Sequence, residues 1–130
     1  MTLLDADRTT WTGACRTDEL VPGRGVAVLV DGQAVAVFLL DDGSLRAIGN
    51  IDPCSGASVL SRGLVGQTEV DGRTVRYVAS PLRKQRFDLE DGRCLDADAS
   101  AGSWPVRQVD GLAEVGRQAS PWSNGLETAP

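Results

Sequence analysis

The stretch Gly25-Val26-Ala27-Val28-Leu29-Val30-Asp31-Gly32-Gln33-Ala34-Val35-Ala36-Val37-Phe38-Leu39-Leu40 decides the fold. Two apolar runs flank an Asp-Gly pair. Asp tolerates left-handed backbone angles and Gly has no Cβ to clash there, which is what a two-residue type I′ turn requires. The pattern predicts an antiparallel hairpin. Its second arm is apolar without a break from Ala34 to Leu40, hence on both faces, and such an arm belongs at the centre of a β structure.

Outward from that hairpin the same signal returns at Asp42-Gly43, Asp71-Gly72, Asp91-Gly92 and Asp110-Gly111, making five pairs in all. Between them lie Gly25 to Val30, Gln33 to Leu40, Ser44 to Ile48, Thr74 to Ala79, Gln85 to Leu89, Trp104 to Val109 and Leu112 to Gly116, most of them rich in Val, Ile, Leu or aromatics. A further strand is read at Trp11, with Cys15 after it. Seven or more strands at hairpin spacing leave space for no helix beyond a single turn around Thr17 to Leu20. The predicted fold is all-β, a small sandwich or barrel.

The chain has 130 residues and 13.7 kDa, enough for one domain, read as residues 10–117 between tails at 1–9 and 118–130. Thirteen basic and eighteen acidic side chains give a net charge of −5, which argues against nucleic acid as a partner. The longest apolar run is the seven residues Ala34 to Leu40, too short for a membrane helix, and no secretory signal is readable. Histidine is absent, which removes the usual general base, the Ser/His and Cys/His nucleophile pairs and the commonest metal ligand. The three cysteines, Cys15, Cys54 and Cys94, show no Cys-x-x-Cys spacing and are read as reduced thiols in a cytoplasm. Trp11 and Trp104 are expected as core aromatics, Trp122 as a packing anchor or small contact spot, and Gly56, Gly63 and Gly66 as servants of backbone geometry.

Two loops are left over by strand logic, Asn50 to Leu60 and Ala79 to Leu89. Here the chain resembles Rieske [2Fe-2S] domains, whose loops read Cys-Pro-x-His-x-Gly and Cys-Pro-x-His-Gly-x-x-Phe-Asp. Matched on Pro53 and Gly56, Asp52 stands at the first Cys position and Cys54 at the first His position. Matched on Pro81 and Phe87-Asp88, Ser80 stands at the second Cys position and Arg83 at the second His position. Asp, Cys, Ser and Arg cannot supply two thiolates and two imidazoles. The resemblance therefore implies a Rieske-like antiparallel β-sandwich or barrel of small sheets, with a two-loop tip and no cluster, metal or other cofactor bound by this chain. A disulfide found between the loops of some Rieske proteins has no counterpart, because Ala57 and Leu82 stand in its places.

More narrowly, the chain is similar to the small subunits of assimilatory NAD(P)H-dependent nitrite reductase. The likeness rests on Trp11, Asp52 to Ala57, Leu60-Ser61-Arg62-Gly63, Ser80 to Leu89, Gly92 to Asp96 and Pro105-Val106-Arg107, with Lys84-Gln85-Arg86-Phe87-Asp88 the most specific string. It implies a large-subunit partner carrying FAD, a [4Fe-4S] cluster and sirohaem, which reduces nitrite to ammonium in nitrate assimilation. This chain would then be a non-catalytic cytoplasmic subunit that docks through Asp52, Cys54, Arg83, Lys84, Gln85 and Arg86. Charge supports that tip independently, because residues 60–95 hold seven basic and five acidic side chains and the remainder six and thirteen.

Plainer readings stand beside these. The run Arg83 to Arg86 also fits a solvated loop, Asp52 a turn-former, and Cys54 and Cys94 small hydrophobic or idle thiols. Without a cluster the two loops need another tie, and Asp52 is expected to accept a hydrogen bond from Ser80 or neighbouring amides. Three function classes follow: a reductase subunit, a stand-alone module whose basic loop captures an anion or acidic peptide, and an electron-transfer domain with unusual ligation.

Overall fold

The computed structural model describes residues 11–117. The readings on residues 1–9 and 118–130, including Trp122, lie outside them. Among the described residues, nine strands form three antiparallel three-stranded sheets: β1 (Thr12–Arg16), β9 (Leu112–Val115) and β8 (Val106–Val109) in that spatial order, then β2 (Gly25–Val30), β3 (Gln33–Leu39) and β4 (Leu45–Gly49), then β5 (Leu64–Val70), β6 (Arg73–Ala79) and β7 (Arg86–Asp88). Single 3-10 turns lie at Thr17–Glu19 and Leu60–Arg62.

The middle sheet organises the core. Successive side chains of a strand point to opposite faces, so an arm that is apolar throughout needs an apolar layer on each side. From β3, Val35 and Val37 join one buried cluster with Val30, Ala47, Trp104, Ala113 and Val115. Ala36 and Phe38, with Leu40 just beyond the strand, join a second with Ile48, Leu60, Val78, Phe87 and Leu89. The first cluster lies towards β1, β8 and β9 and the second towards β6 and β7.

Turn chemistry sets the registers. Asp31, Asp71 and Asp110 have φ of 51°, 51° and 50°, and the glycines after them 78°, 78° and 79°, as two-residue type I′ turns demand. These turns close β2–β3, β5–β6 and β8–β9 with Val30↔Gln33, Val70↔Arg73 and Val109↔Leu112 as end pairs. The other two Asp-Gly pairs depart from this form, since only Gly43 and Gly92 are left-handed there and the turns are longer. The Asp42 carboxylate instead accepts the Ser44 N–H at 2.9 Å, and the Gly92 N–H reaches back to the Asp88 carbonyl at 2.7 Å.

Other expectations are corrected. The strand read from Trp104 starts at Val106, because Pro105 has no N–H for the ladder. β7 covers only three residues of Gln85 to Leu89. β5 carries no strong apolar signal of its own, with Leu64 79% exposed at the edge of its sheet. Trp104 is core, whereas Trp11 is half-buried, its ring 4.0 Å beneath the Arg107 guanidinium.

Phe38 has no exposed surface and fills the second cluster. Phe38→Ala is expected to cost about 3–5 kcal/mol in urea unfolding, and a loss under about 1 kcal/mol would contradict this placement.

Candidate functional site

Both leftover loops leave the second core cluster and close at one tip. Asn50, 3% exposed, shapes the first loop from inside. Its Nδ2 donates to Ser58 Oγ at 2.8 Å, its Oδ1 accepts the Ser61 N–H at 2.7 Å, and its carbonyl accepts the Val59 and Leu60 N–H groups, both at 2.9 Å. The Asp52 N–H donates to the Ala57 carbonyl at 2.8 Å and the Gly56 N–H to the Asp52 carbonyl at 2.7 Å, with Gly56 left-handed at φ 81°. After the 3-10 turn, Gly63 lies so close to β6 that a Cβ would strike the Ala79 carbonyl oxygen.

The second loop is a tight turn. The Lys84 N–H donates to the Ser80 carbonyl at 2.9 Å, and the Ser80 N–H to the Gln85 carbonyl at 2.8 Å. Lys84 has φ 65°, a strained value for a residue with a Cβ.

One bond ties the loops together. Ser80 Oγ–H donates to Asp52 Oδ2 at 2.6 Å, while Asp52 Oδ1 accepts the Cys54 N–H at 2.8 Å. Asp52 is 0% and Ser80 1% exposed, so the expected tie between the loops is present and lies inside the protein. A short O–H···O⁻ bond of this kind is among the stronger neutral-to-charged pairs. These two residues hold the tip together from beneath its surface.

The remaining sequence-derived positions separate by role. Arg83 and Lys84 are exposed and Cys54 is half-buried. Gln85 is half-buried, with Oε1 shut away from solvent and lacking a hydrogen-bond donor among the described residues. Arg86 is engaged within the chain: its Nε and Nη2 donate to Asp96 at 3.0 and 2.7 Å, its own N–H donates to the same carboxylate at 2.9 Å, and its guanidinium lies 5.6 Å from the Tyr77 ring centroid. The fork from Arg86 holds the Asp96 carboxyl below the ordinary carboxylate range. Among the described residues, the basic charge on the tip that has no ion-pair partner is therefore that of Arg83 and Lys84. Sequence reasoning missed three participants: Asp96, although it sits in the Gly92 to Asp96 motif; Asn50, a polar residue opening an otherwise apolar turn into the loop; and the exposed apolar group of Pro53, Pro81 and Leu82, the last 55% exposed.

The four ligand-equivalent positions do not fit a [2Fe-2S] cluster. Asp52 and Ser80 are bonded to each other, Arg83 is a permanently protonated cation, and Cys54 alone offers sulfur. Among the described residues no group of three or more His, Cys, Asp or Glu is placed to hold a metal ion. A cleft of about 260 Å³ beside β6, lined by Arg46, Arg73, Arg76, Asp42, Asp88 and Glu90, is largely self-neutralised. Arg76 lies 3.3 Å from Asp41 and 3.6 Å from Asp42, and Arg46 lies 3.6 Å from Glu90.

Three small antiparallel sheets with two loops meeting at one tip define a Rieske-like domain, and residues 10–116 match the family model of the Rieske-like [2Fe-2S] domain. The chain is 41% identical over 107 residues to the nitrite reductase (NADH) small subunit of Salmonella typhimurium, covering 81% of this chain and 95% of that one. A solved NADH-dependent nitrite reductase small subunit from Mycobacterium tuberculosis matches with a TM-score of 0.77 at 50% identity, over 85% of this chain and 97% of that one. The chain belongs to the family of nitrite reductase small subunits, components of an oxidoreductase. It also matches 109 residues of the nitrite reductase [NAD(P)H] large subunit of Klebsiella oxytoca at 36% identity, 83% of this chain but 11% of that one.

Two measurements check the site. Removing one partner of a buried hydrogen bond leaves the other unsatisfied, so Asp52→Ala and Ser80→Ala are each expected to lose about 1–3 kcal/mol. The double variant is expected to lose less than the sum, and full additivity would show that the bond does not tie the loops. At Asp88, 6% exposed, burial pushes the carboxyl above its ordinary range, against the opposing pull of the Glu90 N–H on Oδ1. A raised folded-state pKa for an acid lowers stability as pH rises from the ordinary value through the raised one. Asp88→Asn is expected to be more stable than wild type at pH 7, with the advantage shrinking towards about pH 4. An advantage independent of pH would refute the assignment.

Proposed function

We propose that this chain is the non-catalytic small subunit of a cytoplasmic NAD(P)H-dependent nitrite reductase, acting in the assimilation of nitrate through the reduction of nitrite to ammonium. It docks by its two-loop tip on a large subunit that carries FAD, a [4Fe-4S] cluster and sirohaem. The observation that carries this reading is the Klebsiella oxytoca relative, in which a matching stretch lies within the large-subunit polypeptide. A domain joined covalently to the large chain in one protein has the same neighbour as a separate subunit in another.

The tip has the composition such a contact needs. Pro53, Pro81 and Leu82 offer an exposed apolar centre, and Arg83 and Lys84 a basic rim. Interfaces combine a dry centre with a polar rim, and charge of one sign on the rim orients the encounter with a surface of the other sign. The occupant is an acidic-rimmed apolar patch on the large subunit. Arg86 is held by Asp96 and takes no direct part.

Co-expression of this chain with the large subunit encoded in the same genome, followed by affinity capture on the small chain, tests the reading. Wild type is expected to retain the large chain, while Arg83→Glu/Lys84→Glu and Leu82→Asp are each expected to weaken retention at least about tenfold. Arg16→Glu on β1, in a different sheet, is expected to leave it unchanged. Lys84 is the only lysine of the chain, so carbodiimide coupling to a large-subunit carboxylate has one side-chain amine to use. Retention that survives both tip variants would place the contact elsewhere.

A further inference from the structure

Cys54 and Cys94 are forty positions apart and occupy different segments, yet the fold brings them to one spot. Cys54 follows Asp52 in the first loop, and its N–H is held by the Asp52 carboxylate. Cys94 lies beyond β7, where it forms an antiparallel bridge to Phe87, and the Leu95 N–H donates to the Arg86 carbonyl at 2.7 Å. Both side chains are half-buried, so each keeps contact with solvent. Both pack against the same apolar cluster, which includes Phe87, Leu60 and Phe38. The Cys94 thiol lies close enough to act on the Cys54 thiol, and neither is in a disulfide. Cys15 is elsewhere, packed against the first cluster on β1.

We propose that Cys54 and Cys94 form a redox-modifiable dithiol site, which a hydroperoxide converts to an intramolecular disulfide stapling the first tip loop to the segment after β7. The thiolate of one cysteine attacks an oxygen of hydrogen peroxide, the O–O bond breaks, and a sulfenic acid and water result. The second thiol attacks the sulfenyl sulfur, the S–S bond forms, and the hydroxyl leaves as a second water. The two thiols give up two electrons and two protons, and one peroxide becomes two waters. Thiolate–disulfide exchange with a small dithiol reverses the step. Burial, the Asp52 charge and the adjacent thiol hold the Cys54 thiol above its ordinary range, with Arg83 pulling the other way, so little of it is thiolate and its attack on peroxide is slow. The site is distinct from the disulfide of some Rieske proteins, whose positions hold Ala57 and Leu82 here.

The test uses the full chain, reduced, freed of reductant, treated with hydrogen peroxide at low protein concentration, and then alkylated in denaturant. Wild-type monomer is expected to become lighter by two hydrogens and to keep one alkylatable thiol, Cys15. Trypsin is expected to release residues 47–62 and 94–107 as one cross-linked species that dithiothreitol separates. The oxidised monomer is expected to melt at a higher temperature than the reduced one, since the cross-link restricts the unfolded chain. Cys15→Ser is expected to behave as wild type, and Cys54→Ser and Cys94→Ser to yield no intramolecular link. Peptide mapping of wild type decides the matter even where a variant folds poorly. The proposal falls if all three thiols remain alkylatable, if Cys15 is found in the link, or if the cysteines oxidise singly to sulfinic acids with no cross-linked peptide.

Discussion

A strand that is apolar on both faces has no stable position except between two layers, and β3 imposes that condition on the whole chain. Val35 and Val37 on one side and Ala36 and Phe38 on the other are all completely buried. β4 repeats the arrangement on a smaller scale, with Ala47 in one cluster and Ile48 in the other. Each outer sheet exists to cover one side of this middle sheet. The sheet of β5, β6 and β7 carries the extra duty of presenting the loop before it and the loop within it at a common end.

The tip then follows from local chemistry. In a cluster-bearing relative of this fold, two loops are held by metal–ligand bonds. Here a carboxylate and a hydroxyl occupy the corresponding places and bond to each other instead. The substitution is self-consistent: the carboxylate also caps the Cys54 N–H, and the serine hydroxyl also accepts the Leu82 N–H at 3.3 Å. Each loop is thereby fixed internally as well as to its neighbour. The outward residues, Pro53, Leu82, Arg83 and Lys84, ride on that frame and owe their positions to groups buried beneath them.

Much of this was legible in the residues. The unbroken apolar arm placed β3 at the centre, and the Asp-Gly pairs marked five turns, three of them in the expected two-residue form. The Asp52–Ser80 bond is legible too, because a carboxylate and a hydroxyl standing where two ligands stand in Rieske domains can bond to each other. What stayed hidden depended on contacts between distant segments. β5 escaped notice because an edge strand need not alternate cleanly, although the Asp71-Gly72 turn demanded a partner for β6. The withdrawal of Arg86 rests on a carboxylate ten positions away across a turn, and the meeting of Cys54 with Cys94 spans forty. Neither pairing leaves a periodic trace along the chain.

Two side-chain oxygens close the tip. Such a bond is made by the polypeptide's own side chains, with no metal–ligand bond in it. The two loops are thereby joined by groups that the polypeptide itself supplies.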